Sequence, residues 1–207
     1  MAVAEDRTPH ASPPGASLPP GAARLRDGTP VRIREARTED TDAVLRFLTT
    51  LSRDSLERRF FTAVQPAHAV AEILPSERAP ARVSLLAERL DPDERRVIGH
   101  GEYVRVLSDP HRAEVAFLVA DDHQGLGVGT LLLLHLARRA RAVGIDRFEA
   151  VVQSENSAML DVFFGAGFPC AVRWHEGEGL VTMEIGREPV TAILPWTGAD
   201  ADDPTLT

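Results

Sequence analysis

Residues 121–130 read DDHQGLGVGT, and the chain continues LLLLHLARRARAVGI to residue 145. Gly125, Gly127 and Gly129 stand directly before a leucine-rich run. Glycine loses more conformational freedom on folding than any other residue, so this cluster needs a local reason. The first turn of a helix supplies one. Its backbone N–H groups have no intrahelical acceptor, and the helix dipole adds partial positive charge there. Glycines let the main chain approach an anion and let several N–H groups converge on it. The stretch therefore reads as a phosphate cradle opening a helix over about 129–143, with Gly144 as its C-cap. Two other phosphate loops do not fit. A P-loop needs Lys followed by Ser or Thr after its last glycine, and Val128-Gly129-Thr130 supplies neither position. A dinucleotide fingerprint needs a third glycine three residues beyond the second and a parallel strand–helix–strand unit. Gln124-x-x-Gly127-x-Gly129 fits neither requirement.

The segment ahead of the loop, AEVAFLVA (113–120), is apolar apart from Glu114 and reads as a strand. Glu114, Ala116, Leu118 and Ala120 then share one face. A carboxylate on a strand with covered faces is costly unless it reaches solvent at the strand start or has a task. VSLLAERL (83–90) and VIGHGEYVRVL (97–107) are strands separated by the turns DPDE (91–94) and SDPHR (108–112), so 83–120 reads as an antiparallel meander. VRIREA (31–36) is a further strand. Thr38 is read as the N-cap of a helix carrying Val44, Leu45, Phe47, Leu48 and Leu51. Ser52 to Phe61 follows as a helix capped by Ser52 or Asp54, and 66–74 as a weaker one begun by Pro66. Downstream come a strand at RFEAVVQ (147–153), a helix from Asn156 to Gly165, and a hairpin of CAVRWHE (170–176) with LVTMEI (180–185). The fold class is mixed α/β: a central, mostly antiparallel sheet of six to seven strands with helices on both faces. Residues 1–24, rich in Pro, Ala, Gly and Ser, are expected to be disordered. Residues 25–190 form the domain, and 191–207 an acidic, frayed tail.

The composition is that of a globular protein, 43% hydrophobic and 26% charged over 207 residues. A formal net charge of -8 disfavours a general nucleic-acid binder and is compatible with a basic or amine-bearing partner. The single cysteine, Cys170, allows no internal disulfide, and no signal peptide or membrane-length apolar run is visible, so a cytoplasmic protein without a membrane partner is expected. Every basic residue other than histidine is arginine. Codon usage in a GC-rich genome and a protein lacking targets for its own acylation both explain this. His100, His111 and His123 read as surface or strand-end histidines. None pairs with Cys or Asp at ligand spacing, so no metal is expected.

In Gln124-x-x-Gly127-x-Gly129, Asn156 and Gly167-Phe168, and in the order of elements over about 31–186, the chain resembles the GNAT superfamily of acyl-CoA-dependent N-acyltransferases. The resemblance implies a GNAT fold and acetyl-CoA as co-substrate, its diphosphate held at Gln124, Gly125, Gly127, Val128, Gly129 and Thr130. It implies splayed strands on either side of the cradle, with Phe117, Leu118 and Val119 beside the pantetheine arm. Core packing also explains those three, and both can hold because backbone and side chain act separately. It implies a cofactor or substrate contact for Asn156, for which helix capping is an equal explanation. It implies that Glu114 is the general base, with His123 as the alternative. Such a base is needed because only a neutral amine attacks a thioester, and a lysine amine has a pKa near ~10.4. A carboxylate raised by partial burial can take the proton. Gln124 can donate through its amide but brings no charge. Arg138, Arg139 or Arg141 would then have to meet the 3′-phosphate, although arginines late in a helix also complement its dipole. The tyrosine that many members use as general acid is replaced by Phe163, and the only tyrosine is Tyr103.

LRDGTPVRIREARTEDTDAVLRFLTTLSRDSLERRFF (25–61) and Ala113-Glu114-Val115-Ala116-Phe117 are similar to bacterial protein-lysine acetyltransferases. This implies transfer to a lysine of a protein, for example an acyl-CoA synthetase. No ligase-like domain is visible, and residues 1–30 are too few for a cyclic-nucleotide-binding domain, so regulation is expected to differ from that of fused enzymes. Two further readings stand beside this one: a small-molecule amine acetyltransferase and a non-catalytic acyl-CoA sensor.

Overall fold

The alternation at 83–120 folds as three consecutive antiparallel strands of an eight-stranded sheet. The computed structural model describes residues 21–62, 64–74, 81–91 and 95–190. The strands are β1 (Ala22–Arg24), β2 (Pro30–Glu35), β3 (Arg82–Leu90), β4 (Arg95–Arg105), β5 (Arg112–Val119), β6 (Arg147–Gln153), β7 (Cys170–His175) and β8 (Glu178–Glu184). Their order is β1-β2-β3-β4-β5-β6-β8-β7, and every neighbouring pair is antiparallel except β5 and β6. The count exceeds expectation by one because of β1, which pairs with β2 from Ala22↔Arg32 to Arg24↔Pro30. Composition had placed Ala22–Arg24 in the unstructured segment. Three residues carry no readable period, and the buried Ala22 and Ala23 owe their order to the neighbouring strand. Residues 1–20, the tail from 191 and most of the DPDE turn lie outside the described residues.

Helices α1 (Thr41–Thr49), α2 (Arg53–Phe60) and α3 (Pro66–Ile73) cover one face. Helix α4 (Val128–Ala142) lies on the other, with Val128 and Leu132 against Gly99 and Gly101 of β4. Helix α5 (Ser157–Gly165) packs beside α4. Thr38 does not cap α1. Residues Thr38–Asp40 form a 3-10 turn, and Arg34 grips Asp40 through two bonds of 2.7 Å while Asp40 accepts from the Arg37 N–H. Arg34 on β2 and the Arg37 N–H together hold Asp40 in this turn, and α1 begins after it, at Thr41. Of the two caps considered for α2, Ser52 serves, accepting from the Ser55 N–H at 3.2 Å.

A polar cluster is buried beneath α2 and α3. Glu102 of β4 accepts from Arg59 of α2 and Arg82 of β3. His100, expected at the surface, is completely buried in mid-strand. The Ser84 hydroxyl donates to the Ile73 carbonyl at 2.7 Å and so accepts from His100 Nε2 at 3.0 Å, while Nδ1 finds no partner among the described residues. Burial, and then the Arg59 and Arg82 guanidiniums, hold this imidazole well below its usual value of 6.5. The unfolded chain therefore binds a proton that the folded chain refuses. Stability from this group is full above about pH 6.5 and declines as the pH falls below it, by up to about 1.4 kcal/mol per pH unit. Thermal melts from pH 7 to pH 5 are expected to show a shallower decline for His100→Gln than for the wild type. Equal slopes would rule the group out as a source of acid sensitivity.

Candidate active site

Strands β5 and β6 meet over only three rungs, Arg112↔Arg147, Ala113↔Phe148 and Glu114↔Glu149. Beyond Glu114 they diverge, and among the described residues the β5 edge from Val115 to Val119 has no strand partner on that side. A cleft of about 220 Å³ opens in the gap. Val115–Val119 form one wall and Ala150–Val152 the other, with the glycine loop at its head and Asn156, Met159, Val162 and Phe163 along its flank. Phe117, Leu118 and Val119 all line it, and the first two are also buried in the core.

The loop has the geometry required of an anion cradle. Gly125 (φ 73°) and Gly127 (φ 99°) occupy the left-handed region, where side chains other than glycine are strained. Gly127 caps α4 without a side chain, and the first helical bond runs from the Leu131 N–H to the Gly127 carbonyl at 3.0 Å. Among the described residues, the N–H groups of residues 125–130 donate to no backbone acceptor. These are consecutive unpaired donors, and all their residues except Leu126 line the cleft. Val128 and Thr130 are buried, so they offer the cleft mainly main chain. Gly129 has a second reason to be glycine: a Cβ there would lie 2.8 Å from Cγ2 of Val162 on α5.

Gln124 differs from expectation. Its amide donates to the Val119 carbonyl (3.3 Å), Asp121 (3.1 Å) and the Ser55 hydroxyl (3.3 Å), so its donors are engaged by the protein although the residue is exposed and lines the cleft. Asp121 in turn accepts from the Ser52 N–H and from the hydroxyls of Ser52 and Ser55, which ties the loop to the start of α2. Asn156 caps α5, accepting from the Met159 N–H at 3.2 Å, and also lines the cleft.

Glu114 stands on the last rung before the strands part, beside Glu149. The partial burial expected of it is absent: the residue is exposed, near the start of β5. Among the described residues it has no ion-pair partner, whereas Glu149 meets Arg112 at 3.2 Å. His123 is also not a surface residue. It is buried, hydrogen-bonded to Asp122 at 2.6 Å, and lines the cleft. His111 is exposed as expected, its Nδ1 2.9 Å from the Gly144 carbonyl. Phe163 is buried and packs edge-on against Phe117, with ring centres 6.0 Å apart. Tyr103 lies in β4 against Phe148, away from the cleft, and burial pushes its phenol up. No tyrosine is therefore placed to protonate a thiolate.

Arg138, Arg139 and Arg141 do not line the cleft. They follow Val128 by ten residues or more, roughly 15 Å along the helix. Arg139 meets Glu35 and Arg141 meets Glu188. Three arginines missed in the sequence do line it: Arg26, Arg58 and Arg59. No local pattern marks them, because only the tertiary fold brings the β1–β2 turn and α2 to the loop. Among the described residues no group of three or more His, Cys, Asp or Glu could hold a metal ion, and no helix is long and apolar enough to cross a membrane.

Known proteins share this arrangement. Residues 51–168 match the acetyltransferase (GNAT) family. Acetyltransferase Pat of Mycolicibacterium smegmatis is 32% identical over 180 residues, 86% of this chain and 52% of Pat, so the chain spans about half the length of that relative. The GNAT domain of S. lividans PAT superposes with a TM-score of 0.67 at 32% identity, covering 79% of this chain and 95% of that domain. The Salmonella typhimurium acetyltransferase yncA, solved with its cofactor acetyl-CoA, shares the fold at a TM-score of 0.57 and 20% identity, over 78% of this chain and 97% of its own. With the match extending over more than half of its length, this chain belongs to the acetyltransferase (GNAT) family.

Proposed function

We propose that the chain transfers the acetyl group of acetyl-CoA to a lysine side chain of a protein, with Glu114 as the general base. The observation that carries this reading is the run of unpaired N–H groups over residues 125–130 at the head of an open cleft. Such donors suit a diphosphate. The free main-chain edge of Val115–Val119 suits the amides of a pantetheine arm, much as it would suit another strand. Bound acetyl-CoA supplies the thioester carbonyl. Glu114, on the rung where the cleft begins, takes a proton from the acceptor's ammonium, directly or through a water, so that the neutral amine can attack. The carbon–sulfur bond then breaks, and the sulfur leaves as the CoA thiol with the second proton that the nitrogen loses on becoming an amide. Asn156 borders the cofactor or substrate. The acidic surplus of the chain and the paired carboxylates Glu114 and Glu149 favour a cationic acceptor. The likeness of residues 25–61 to protein-lysine acetyltransferases supports a protein lysine over a small amine.

Because the chain contains no lysine, acetyl-lysine found after a reaction belongs to the acceptor. Purified enzyme, acetyl-CoA and an acyl-CoA synthetase, set beside a panel of small amines, are expected to yield acetyl-lysine on the protein by mass spectrometry. Acetylation confined to the small amines would reject the protein acceptor. A second reading, a non-catalytic acyl-CoA sensor, is favoured by Phe163 standing where a general acid is common. No transfer to either class, together with a melting temperature raised by acetyl-CoA, would establish it.

A further inference from the structure

Arg26 lies in the turn between β1 and β2, at the head of the cleft. Its backbone N–H donates to the Leu126 carbonyl at 3.2 Å, and its Nη1 donates to the Gly125 carbonyl at 2.9 Å. These bonds hold the guanidinium against the glycine loop from 99 residues away in sequence. Its other N–H donors are uncommitted among the described residues. No carboxylate there meets it. Neighbouring Asp27 accepts from the N–H and hydroxyl of Thr29, at 2.9 and 2.8 Å. Asp121 is turned to Ser52, Ser55 and Gln124.

Among the described residues, neither of the other two cleft arginines is bonded to the glycine loop. Arg59 is bound to Glu102. Arg58, also on α2, has Glu155 near enough that it adds to the Ser154 hydroxyl and the Glu155 N–H in stabilising that carboxylate. The cradle itself carries no cation, because Gln124 is neutral and its amide is occupied. Main-chain dipoles alone would have to balance the charge of a diphosphate.

We propose that Arg26 is the missing cation, a ligand to the diphosphate of acetyl-CoA supplied from outside the glycine motif. A planar guanidinium can bind two phosphate oxygens at once, and charge-assisted bonds of this kind are the strong ones. The assignment is to the diphosphate and not the 3′-phosphate because Arg26 is bonded to the loop whose amides face the diphosphate. It rests on the reading of residues 124–130 as the diphosphate loop.

Calorimetry of wild type and Arg26→Gln with CoA and with dephospho-CoA, which lacks the 3′-phosphate, tests this. NMR titration with acetylpantetheine, which lacks the diphosphate, completes the set. The variant is expected to bind CoA and dephospho-CoA more weakly by a similar factor, about 10-fold or more, with acetylpantetheine unaffected. Wild-type affinity for CoA in the variant would overturn the proposal. A loss seen with CoA and absent with dephospho-CoA would move Arg26 to the 3′-phosphate. An equal loss with acetylpantetheine would make it a brace for the loop only. Wild-type protein that binds dephospho-CoA no better than acetylpantetheine would instead remove the diphosphate reading on which the proposal rests.

Discussion

Glu114→Gln is expected to lower kcat for acetyl transfer by about 10²-fold or more, with KM for acetyl-CoA near the wild-type value. The substitution keeps the shape of the side chain, and Glu114 is exposed with no ion-pair partner among the described residues, so folding should not change. Its position does not line the cleft, so cofactor binding should not change either. What is removed is the proton acceptor on the rung where the cleft begins. A pH series separates this role from a purely electrostatic one. As the pH approaches the ~10.4 of a lysine amine, the acceptor arrives already neutral and the variant should recover toward wild type. A loss that stays constant with pH, or no loss at all, would reject Glu114 as the base. His123 is the internal rival, buried at the cleft head, and a defect that follows His123→Gln and is relieved at high pH would transfer the role to it.

Glu102→Ala should cost about 3–5 kcal/mol of stability, a fall of roughly 6–20 °C in Tm for a chain of this size. Glu102 is 7% exposed and is the shared partner of Arg59 and Arg82. Its removal leaves two buried guanidiniums facing each other and the neutral His100, without a counter-charge. The large figure therefore measures unpaired charge, not the worth of the pairs. Replacing the three together, Glu102→Leu with Arg59→Met and Arg82→Met, should recover much of the loss. Denaturant unfolding of the wild type and the two variants checks both statements. A single-variant cost below about 1 kcal/mol would mean that water reaches the cluster and screens it. The site should feel the same change. Arg59 belongs to α2, whose Ser55 bonds Asp121 and Gln124 of the loop, so loss of Glu102 is expected to loosen the cradle as well.

The meander, the helix after Gly127, and the capping of α5 by Asn156 and of α2 by Ser52 were all legible because each is written in neighbouring residues. Period two, period 3.6 and cap chemistry act over a few residues and survive the loss of everything distant. The glycine cradle was legible for the same reason: φ values of 73° and 99° at Gly125 and Gly127 are local demands. Where α1 begins was not, because the choice between Thr38 and Thr41 turns on Arg34 reaching Asp40. Strand β1 was not, because its order comes from pairing with β2.

From its sequence alone the chain determined its elements, the alternating strands that enter one sheet, and the backbone shape of its anion loop. Tertiary structure decided what surrounds each charge. It buried His100 and His123, left Glu114 in solvent, tied the Gln124 amide to Asp121 and Ser55, and brought Arg26 to the loop. The reason is physical. Backbone conformation answers to neighbours a few residues away, whereas the solvation and pairing of a side chain depend on segments that meet only when the sheet closes around them.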